Sequence, residues 1–466
     1  MAAPRLGVVV PAYAQAGWAD AAFWCAFLEA WGYPFERISP PGVIEPIPTL
    51  VVPAPTVDAA VAASLAGAPR TILAGAASPA CSGLPSVRFP YPATALDRNS
   101  IGATVRAARL ALAEAARGVG LVSIWPWPQG KRAALVIDGD VDHPSGVEPS
   151  CSRYVAPSVD VAQHAGFESY GIFVAAQNIE AEPGSFPGGV EYYNHSFSHP
   201  YSHWNAEHWA SLKIDEMRQE VVRAGDVYRD LLGVEDRGLF RLPHFQLDAW
   251  DRTADVLEEL DYRGESSIGS NVSITDGLPF HPSRRPWSTR AEDAAYARTH
   301  PDPDERRPFL QIPISTDPSD PAFPNGCCSY NTLGEGVRRR SAHPEAFEEI
   351  LTTVVEDALE REGLAHLFID PPDAGYGRLP GDRSDYASAV ERFMKWAVSR
   401  EYLTIMSIAE LVGWWFEREE AIARMRLEID GGALVVTIED PPVGTTLEVI
   451  SPQGIRSLHT MSPGSA

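Results

Sequence analysis

The apolar run Ala133-Ala-Leu-Val-Ile137 leads directly into Asp138-Gly-Asp140-Val-Asp142. Five apolar residues in a row, with polar residues on both sides, are typical of a buried β-strand. Three carboxylates at the end of one strand repel each other and cost stability unless a cation or an arginine neutralises them. An Asx-rich turn that leaves the side chains in water fits the same residues. The stretch therefore predicts a strand that ends in either a charged site or a solvated turn.

A second motif, His195-Ser-Phe-Ser-His199-Pro200, carries two histidines four residues apart. On one helical turn this spacing projects both imidazoles the same way, so that both can reach one cation. Neutral imidazole suits zinc and other borderline divalent metals. The spacing alone is a weak signal. Together with the acidic strand end, it predicts an Asp/His/His set that leaves metal positions open for water and substrate.

The chain around these motifs alternates strands with helices, which predicts an α/β fold with a parallel sheet. Beyond residue 131, apolar residues three and four apart predict helices at 206–231, 345–362, 386–400 and 407–418. Before it, apolar runs and helical spacing predict strands at 6–10, 50–52 and 71–74 and helices at 21–31 and 101–117. Residues 284–308 are charged and carry prolines, so we expect a surface insertion there.

The length of 466 residues exceeds what one core usually holds. In the tail, apolar residues alternate with period two on both sides of Gly431-Gly432, which predicts a β-hairpin. We expect three domains: an α/β domain of unknown role at 1–125, a catalytic domain at 126–422, and a small β-module at 423–466 packed against it.

Composition narrows the classes of partner. The formal net charge is −24, from 62 acidic and 38 basic residues. A field of that sign repels phosphate, so we expect neither nucleic acid nor an anionic membrane as a partner, although the charge also serves solubility alone. No apolar stretch approaches the ~20 residues that span a bilayer.

The cysteines indicate the compartment. The five cysteines are an odd, scattered set that does not form a disulfide framework: Cys25, Cys81, Cys151, Cys327 and Cys328. We expect reduced thiols in a cytoplasmic protein. For the adjacent pair Cys327-Cys328 we favour a structural or lid role over a nucleophilic one, which would need a partner histidine.

Three motifs together resemble a known family. Asp140-Val-Asp142, His195-Ser-Phe-Ser-His199-Pro200 and Arg241-Leu-Pro243 resemble the first three motifs of the polysaccharide deacetylases, carbohydrate esterase family four, in the family's order. The resemblance covers roughly residues 131–420. It implies a distorted (β/α) barrel catalytic domain with its site at the C-terminal ends of the strands, where the Asp cluster is expected to lie.

The resemblance also implies residue roles. Asp142, His195 and His199 would bind a divalent metal, with Zn²⁺ the ion we expect. Asp140 would be the general base, and Arg241 would pair with it and lower its pKa. Two further assignments follow from the same motifs: the backbone N–H of His244 near the developing oxyanion, and Glu265-Ser266-Ser267 as the counterpart of the fourth motif.

The sequence departs from the family pattern at two places. Asp138 adds a third acid, so an alternative register makes Asp138 the base and Asp140 the ligand; we prefer Asp140 and Asp142. The family's last motif ends a strand in a histidine that acts as general acid, whereas this strand ends in Asp370. Asp370 would then be the acid and needs a raised pKa to donate near neutral pH, or His366, on the same face of the strand, would serve instead.

These residues predict a metal-dependent hydrolase that removes N-acyl groups, with an acylated sugar or related small molecule as its substrate. An alternative keeps the metal site and changes the bond, to an ester or another C–N bond in small-molecule metabolism. A third hypothesis is a carbohydrate-binding protein without catalysis, which has no need of a clustered charged site. The sequence makes no prediction of the oligomeric state.

Overall fold

The computed structural model describes residues 6–11, 18–38, 49–53, 71–74, 86–89, 98–142, 151–200, 208–243, 249–267, 281–284, 306–315, 344–375, 377–380, 382, 385–430 and 433–461. The chain divides into two compact units. One comprises Met1–Lys131, Ser273–Glu305 and Trp414–Ala466, and the other comprises Arg132–Val272 and Arg306–Gly413. The domain boundaries expected near residues 125 and 422 stay predictions.

The second unit is built on a parallel sheet of eight strands. Its strands are β7 Ala133–Val141, β8 Gly171–Val174, β9 Glu191–Asn194, β10 Leu239–Phe240, β11 Gly264–Glu265, β12 Leu310–Gln311, β13 Leu364–Phe368 and β14 Leu403–Ile405. Seven of them follow the order β12-β11-β10-β9-β8-β7-β13, and β14 also pairs with β7.

The sheet curls until its two ends meet. Ser315, shortly after β12, donates its backbone N–H to the carbonyl of His366 in β13, with an N–O distance of 2.8 Å. His366 in turn donates its own N–H to the Ser315 hydroxyl at 3.0 Å. This unit therefore has the mixed α/β architecture of a distorted (β/α) barrel, as the sequence predicted.

Successive side chains of β7 point to opposite faces of the sheet and so lie in two different environments. Leu135 and Ile137 belong to the hydrophobic cluster that also contains Val355 of a surrounding helix. Residues at the other parity, Asp138 and Asp140, therefore point to the inside of the barrel. Because the apolar cluster fixes the strand's orientation, it also fixes which face carries the carboxylates.

Every helix predicted from the sequence is present, with differences at its ends: Trp18–Ala30, Arg98–Ala115, Ile214–Val227, Pro344–Arg361, Tyr386–Val398 and Ile408–Arg424. The described residues also contain helices that the sequence did not predict: Val155–His164, Gln177–Ala181, Trp250–Glu259 and Pro371–Gly375. The helix expected at 206–231 begins only at Ile214, and its last predicted residues form a π-helical turn, Tyr228–Leu232. The helix expected at 407–418 continues to Arg424.

The first unit has a parallel five-stranded sheet in the order β2-β1-β3-β4-β5. Its strands are β1 Leu6–Val9, β2 Phe35–Ile38, β3 Thr49–Pro53, β4 Thr71–Ala74 and β5 Ser86–Phe89, of which the sequence predicted only β1, β3 and β4. This part of the chain therefore contains a parallel sheet and helices, and the expected α/β domain at 1–125 stays a prediction.

The C-terminal strands pair in two places. β15 Arg426–Asp430 and β16 Ala433–Thr437 form the antiparallel pair expected around residues 431–432. β17 Thr446–Ile450 lies between β18 Arg456–Thr460 and β6 Leu121–Ile124, so the tail shares a sheet with a strand from the first part of the chain. That pairing joins residues more than 300 positions apart and has no local sequence signal.

Several sequence predictions lie outside the described residues, among them the His244 N–H, Cys327, Cys328 and most of the insertion at 284–308. Cys25 is buried. Within the part of the chain that the structure describes, no helix is both long and apolar enough to cross a membrane.

Candidate metal centre

The ligand atoms predicted from the sequence converge at the C-terminal ends of β7 and β9. One ligand atom each from Asp142, His195 and His199 lies within 4.8 Å of the others. Nε2 of His195 is 3.1 Å, and Nε2 of His199 is 3.8 Å, from Oδ1 of Asp142. Both histidines are buried, whereas the Asp142 side chain is 20% exposed, so Asp142 is the most exposed residue of the cluster.

The two histidines do not lie on a helical turn, which corrects the sequence prediction. They follow β9 in an irregular turn in which Ser196 and His199 have φ of 65° and 50°. These left-handed conformations cost free energy for residues other than glycine, so the surrounding structure must hold them. The turn nevertheless brings the two ring centroids to 4.7 Å from each other.

The donor set fits a divalent metal. Nδ1 of His195 lies 2.9 Å from the carbonyl oxygen of Arg241, and a carbonyl can only accept, so Nδ1 carries the proton. That hydrogen bond leaves Nε2, the nitrogen beside Asp142, to bind a cation. Burial lowers the pKa of His195, but Asp140 and Asp142 outweigh it and raise the pKa overall, so protons compete with a cation here in acid.

Arg241 organises the carboxylates inside the barrel. Its guanidinium donates through Nη1 to Asp140 at 2.7 Å and through Nη2 to Asp138 at 2.8 Å. Nε donates to the carbonyl of Ser266 at 2.7 Å. The guanidinium carbon lies 4.1 Å from the ring centroid of Phe173 and 5.0 Å from that of Phe368. Two aromatic rings and two carboxylates thus fix its position.

Asp138 and Asp140 differ in their partners. Both carboxylate oxygens of Asp138 are engaged, one by Arg241 and the other by Nε2 of His366 at 2.7 Å. Burial raises the pKa of Asp138, but Arg241 and His366 outweigh it and hold the pKa below its usual value. For Asp140, burial outweighs Arg241 and raises the pKa to about 6. Its second oxygen is 3.5 Å from Nε2 of His195, next to the ligand cluster.

The two candidates for the general acid occupy different places. His366 is fully buried, with Nε2 on Asp138 and Nδ1 3.2 Å from the carbonyl oxygen of Pro313, so both ring nitrogens point at core partners. Asp370 accepts the backbone N–H of Asp140 at 2.8 Å, close to the ligand cluster. Burial, reinforced by the charges of Asp142 and Asp140, raises the pKa of Asp370 well above its usual value.

The fourth-motif counterpart, Glu265, is buried at the end of β11. It accepts the Ser267 N–H at 2.9 Å. Burial raises its pKa to about 7. Sequence reasoning missed two groups of site residues: the rings of Phe173 and Phe368, and the residues that hold the histidine turn. Of these residues, only Asn194 could have been found from the sequence. It directly precedes His195, and because side chains alternate along a strand, it points to the opposite face of β9 from His195.

Comparison with known proteins finds similarity only among solved structures. No family model matches the sequence, and no curated protein matches it. A Mycobacterium smegmatis protein classed as a polysaccharide deacetylase is 15% identical, with a TM-score of 0.42, over 62% of this chain and 91% of that one.

Two further solved structures are similar in the same way. A 4-alpha-glucanotransferase of Thermococcus litoralis is 14% identical, with a TM-score of 0.40, over 61% of this chain and 40% of that one. A peptidoglycan deacetylase of Bacillus subtilis is 13% identical, with a TM-score of 0.32, over 63% and 96%. Because these TM-scores lie below 0.5, activity and substrate have to be argued from the site itself.

Proposed function

We propose that this protein is a metal-dependent hydrolase that removes N-acyl groups, acetyl above all, from a carbohydrate substrate. One observation carries the proposal. The Asp142, His195 and His199 ligand atoms lie within 4.8 Å of one another, beside a carboxylate, Asp140, that Arg241 holds in place. A binding protein has no need of a buried base next to an open ligand set.

Each residue has a part in the proposed reaction. A divalent metal at this site would polarise the acyl carbonyl and lower the pKa of the attacking water. Asp140 takes the proton from that water, and Arg241 keeps the receiving oxygen directed at the site. Asp370, whose pKa is raised, gives a proton to the leaving amine. The base and the acid are then different carboxylates, each suited to its role by its surroundings.

The preference for a sugar substrate rests on the motif resemblance and on the charge of the chain. A net charge of −24 disfavours anionic substrates at long range and is compatible with neutral or cationic sugars. Asp142, with a side chain 20% exposed, is the most exposed of the three proposed ligands, so we propose that the acyl group approaches from its side.

One observation favours a second candidate, hydrolysis of an ester. His366 has both ring nitrogens directed at core partners, so we assign the proposed proton donor to Asp370, which accepts the Asp140 N–H. An alkoxide depends less on a strong proton donor than an amine does, so the same residues would serve an O-acetyl ester.

The first test is metal binding. We expect one divalent metal per chain in the purified protein, and we expect Asp142→Ala and His199→Ala to lose it, because each removes one of three protein ligands. Elemental analysis measures the stoichiometry, and a panel of N-acetylated and O-acetylated sugars tests the activity of the loaded wild type. Full metal content in both variants would show that the site is wrongly assigned.

A further inference from the structure

The turn that carries the two histidines is held from outside by residues that do not belong to either motif. Asn194, the last residue of β9, accepts the backbone N–H of Ser196 on its side-chain oxygen at 2.9 Å. The amide nitrogen of Asn194 points away from the barrel, to the Val221 carbonyl at 3.0 Å and the Asp236 carboxylate at 2.8 Å. The start of the turn is therefore fixed to β9 and to the helix behind it.

The end of the turn is fixed at Ser198, the residue before His199. Glu220, on the helix Ile214–Val227, accepts the Ser198 N–H at 2.7 Å with one carboxylate oxygen and the Ser198 hydroxyl at 3.0 Å with the other. Gln177, at the start of the helix Gln177–Ala181, donates its amide to the Ser198 carbonyl at 2.9 Å. Every polar group of Ser198 thus has a partner on one of two neighbouring helices.

The contacts at Ser198 lie next to His199, a residue of the turn with a strained backbone conformation. His199 has φ of 50°, a conformation that costs about 1–3 kcal/mol at a residue with a side chain unless the structure around it compensates. The Ser196 hydroxyl accepts the His199 N–H at 3.1 Å, and the Ala176 N–H donates to the Ser196 carbonyl at 3.0 Å. Without the contacts at Ser198, the backbone at His199 is free to relax toward an ordinary conformation and to turn its imidazole away from Asp142.

We propose that Glu220 and Gln177 are positioning residues that clamp Ser198 and thereby hold His199 where it shares one cation with His195 and Asp142. The inference rests on the proposed metal site and adds to it two residues from helices outside the motifs. Neither residue is among the proposed metal ligands. They act through the backbone of Ser198, and losing the clamp weakens metal binding without removing a ligand.

The test measures the affinity of the full-length, metal-free protein for Co²⁺, by competition with a chromophoric chelator. Partners of this kind typically contribute about 10–100-fold to metal affinity, and we expect weakening of that size in Glu220→Ala and a smaller one in Gln177→Leu. Glu220→Gln should restore binding to within a few-fold of the wild type, because its oxygen still accepts the Ser198 N–H and its amide can donate to the hydroxyl.

A control variant tests whether a loss of affinity in Glu220→Ala comes from the lost contacts with Ser198 or only from the lost negative charge. Asp226 lies on the same helix as Glu220, is exposed and pairs with Arg229, away from the turn. Asp226→Ala removes one negative charge from that helix and should leave the Co²⁺ affinity unchanged. Thermal unfolding of each metal-free variant shows whether the protein is folded when its affinity is measured.

The outcomes distinguish the clamp from the metal site itself. If the wild type binds no Co²⁺, the proposed function fails. If the wild type binds Co²⁺ and folded Glu220→Ala and Gln177→Leu bind it equally well, the clamp alone is refuted. Should Glu220→Ala not fold, Ser198→Ala, which removes only the hydroxyl contact, takes its place, and wild-type affinity in both Ser198→Ala and Gln177→Leu overturns the inference.

Discussion

At the residue scale, Asp138 and Asp140 show how two aspartates on one strand face can have different roles. Asp138 has hydrogen-bond partners on both oxygens, Arg241 and His366, whereas Asp140 has one oxygen on Arg241 and the other facing His195. The geometry favours the register in which Asp140 is the base and Asp142 the ligand, because Asp142 is the carboxylate that lies with both histidines.

Because the partners of Asp138 and Asp140 differ, we expect different effects from replacing each aspartate by asparagine. Asp140→Asn should keep one metal per chain and lose turnover, because it removes a base and not a ligand. Asp138→Asn should keep the metal but lower stability, by up to about 3–5 kcal/mol, since it breaks a buried ion pair. Metal content, turnover and urea unfolding are measured on both. Loss of metal in Asp140→Asn, with a folded but inactive Asp138→Asn, would establish the other register.

The proton donor is the second question at this scale. If Asp370 protonates the leaving group, Asp370→Asn should slow an amide substrate by about 10²–10⁴-fold and a matched ester by much less, since general acid catalysis matters most for amine departure. His366→Gln should slow both substrates by the same factor, because His366 contacts Asp138 and not the ligand cluster. The ratio of amide to ester rates in each variant is the measurement. A selective loss of amide turnover in His366→Gln would instead make His366 the donor.

At the scale of elements, the close approach of β7 to the end of β13 constrains residue 139. A Cβ on Gly139 would lie 2.2 Å from the carbonyl oxygen of Ile369 and 2.8 Å from Cα of Asp370. Both are backbone atoms that cannot rotate away, so the two strand ends would have to separate. That separation would also stretch the hydrogen bond from the Asp140 N–H to Asp370.

Gly139→Ala should therefore destabilise the protein by about 1–3 kcal/mol, the usual cost of overpacking a core. The matched control is Gly184→Ala, since a Cβ on Gly184 meets nothing within 4 Å and the residue has an ordinary φ. Urea unfolding of the two variants measures the difference. Equal midpoints would mean that the strand ends separate at little cost.

The elements also show what the sequence could predict. The strand Ala133–Ile137 and six of the described helices have apolar patterns that predict them, and the structure has them with ends that differ from the expected ones by up to eight residues. β10, β11 and β12 have two residues each, too few for any pattern to register. The non-helical histidine turn was missed because its conformation depends on Gln177 and Glu220, and no local rule links those residues to it.

The same limit applies to the site. The ligand cluster was predictable because its residues lie in two short motifs at strand ends. The pairing of His366 with Asp138 was not, since it depends on β13 lying beside β7 in the curled sheet. The residues whose position follows from neighbouring sequence were found, and those whose position follows from the closure of the barrel were not.

At the scale of the whole molecule, Glu265 makes stability depend on pH. Burial raises its pKa to about 7 in the folded state, from 4.5 when exposed. Between these values the folded protein holds a proton that the unfolded chain has released, so the free energy of unfolding falls as the pH rises through this window and is level above it. The full difference is about 3 kcal/mol at 1.36 kcal/mol per pKa unit.

Glu265→Gln should remove this contribution, so its urea midpoint should change less than that of the wild type between pH 5 and pH 8, both metal-free. Glu448→Gln serves as the control. Burial raises the pKa of Glu448, but Arg109 and Arg456 outweigh it and hold the pKa below 4.5, so its stabilisation is lost only as the pH falls below that value. An unchanged pH difference in Glu265→Gln would show that Glu265 ionises in the folded state near its ordinary pKa.

The contacts that hold the histidine turn should preserve its conformation when a bound metal is removed. Its backbone is held to β9 and to two helices by hydrogen bonds whose donors and acceptors are all groups of the protein itself. Removing a bound ion with a chelator should therefore leave the conformation of the turn, and with it the positions of His195 and His199, unchanged. Loss and recovery of the ion should be reversible at ambient temperature without refolding, so one apoprotein preparation can be reconstituted with each candidate metal in turn.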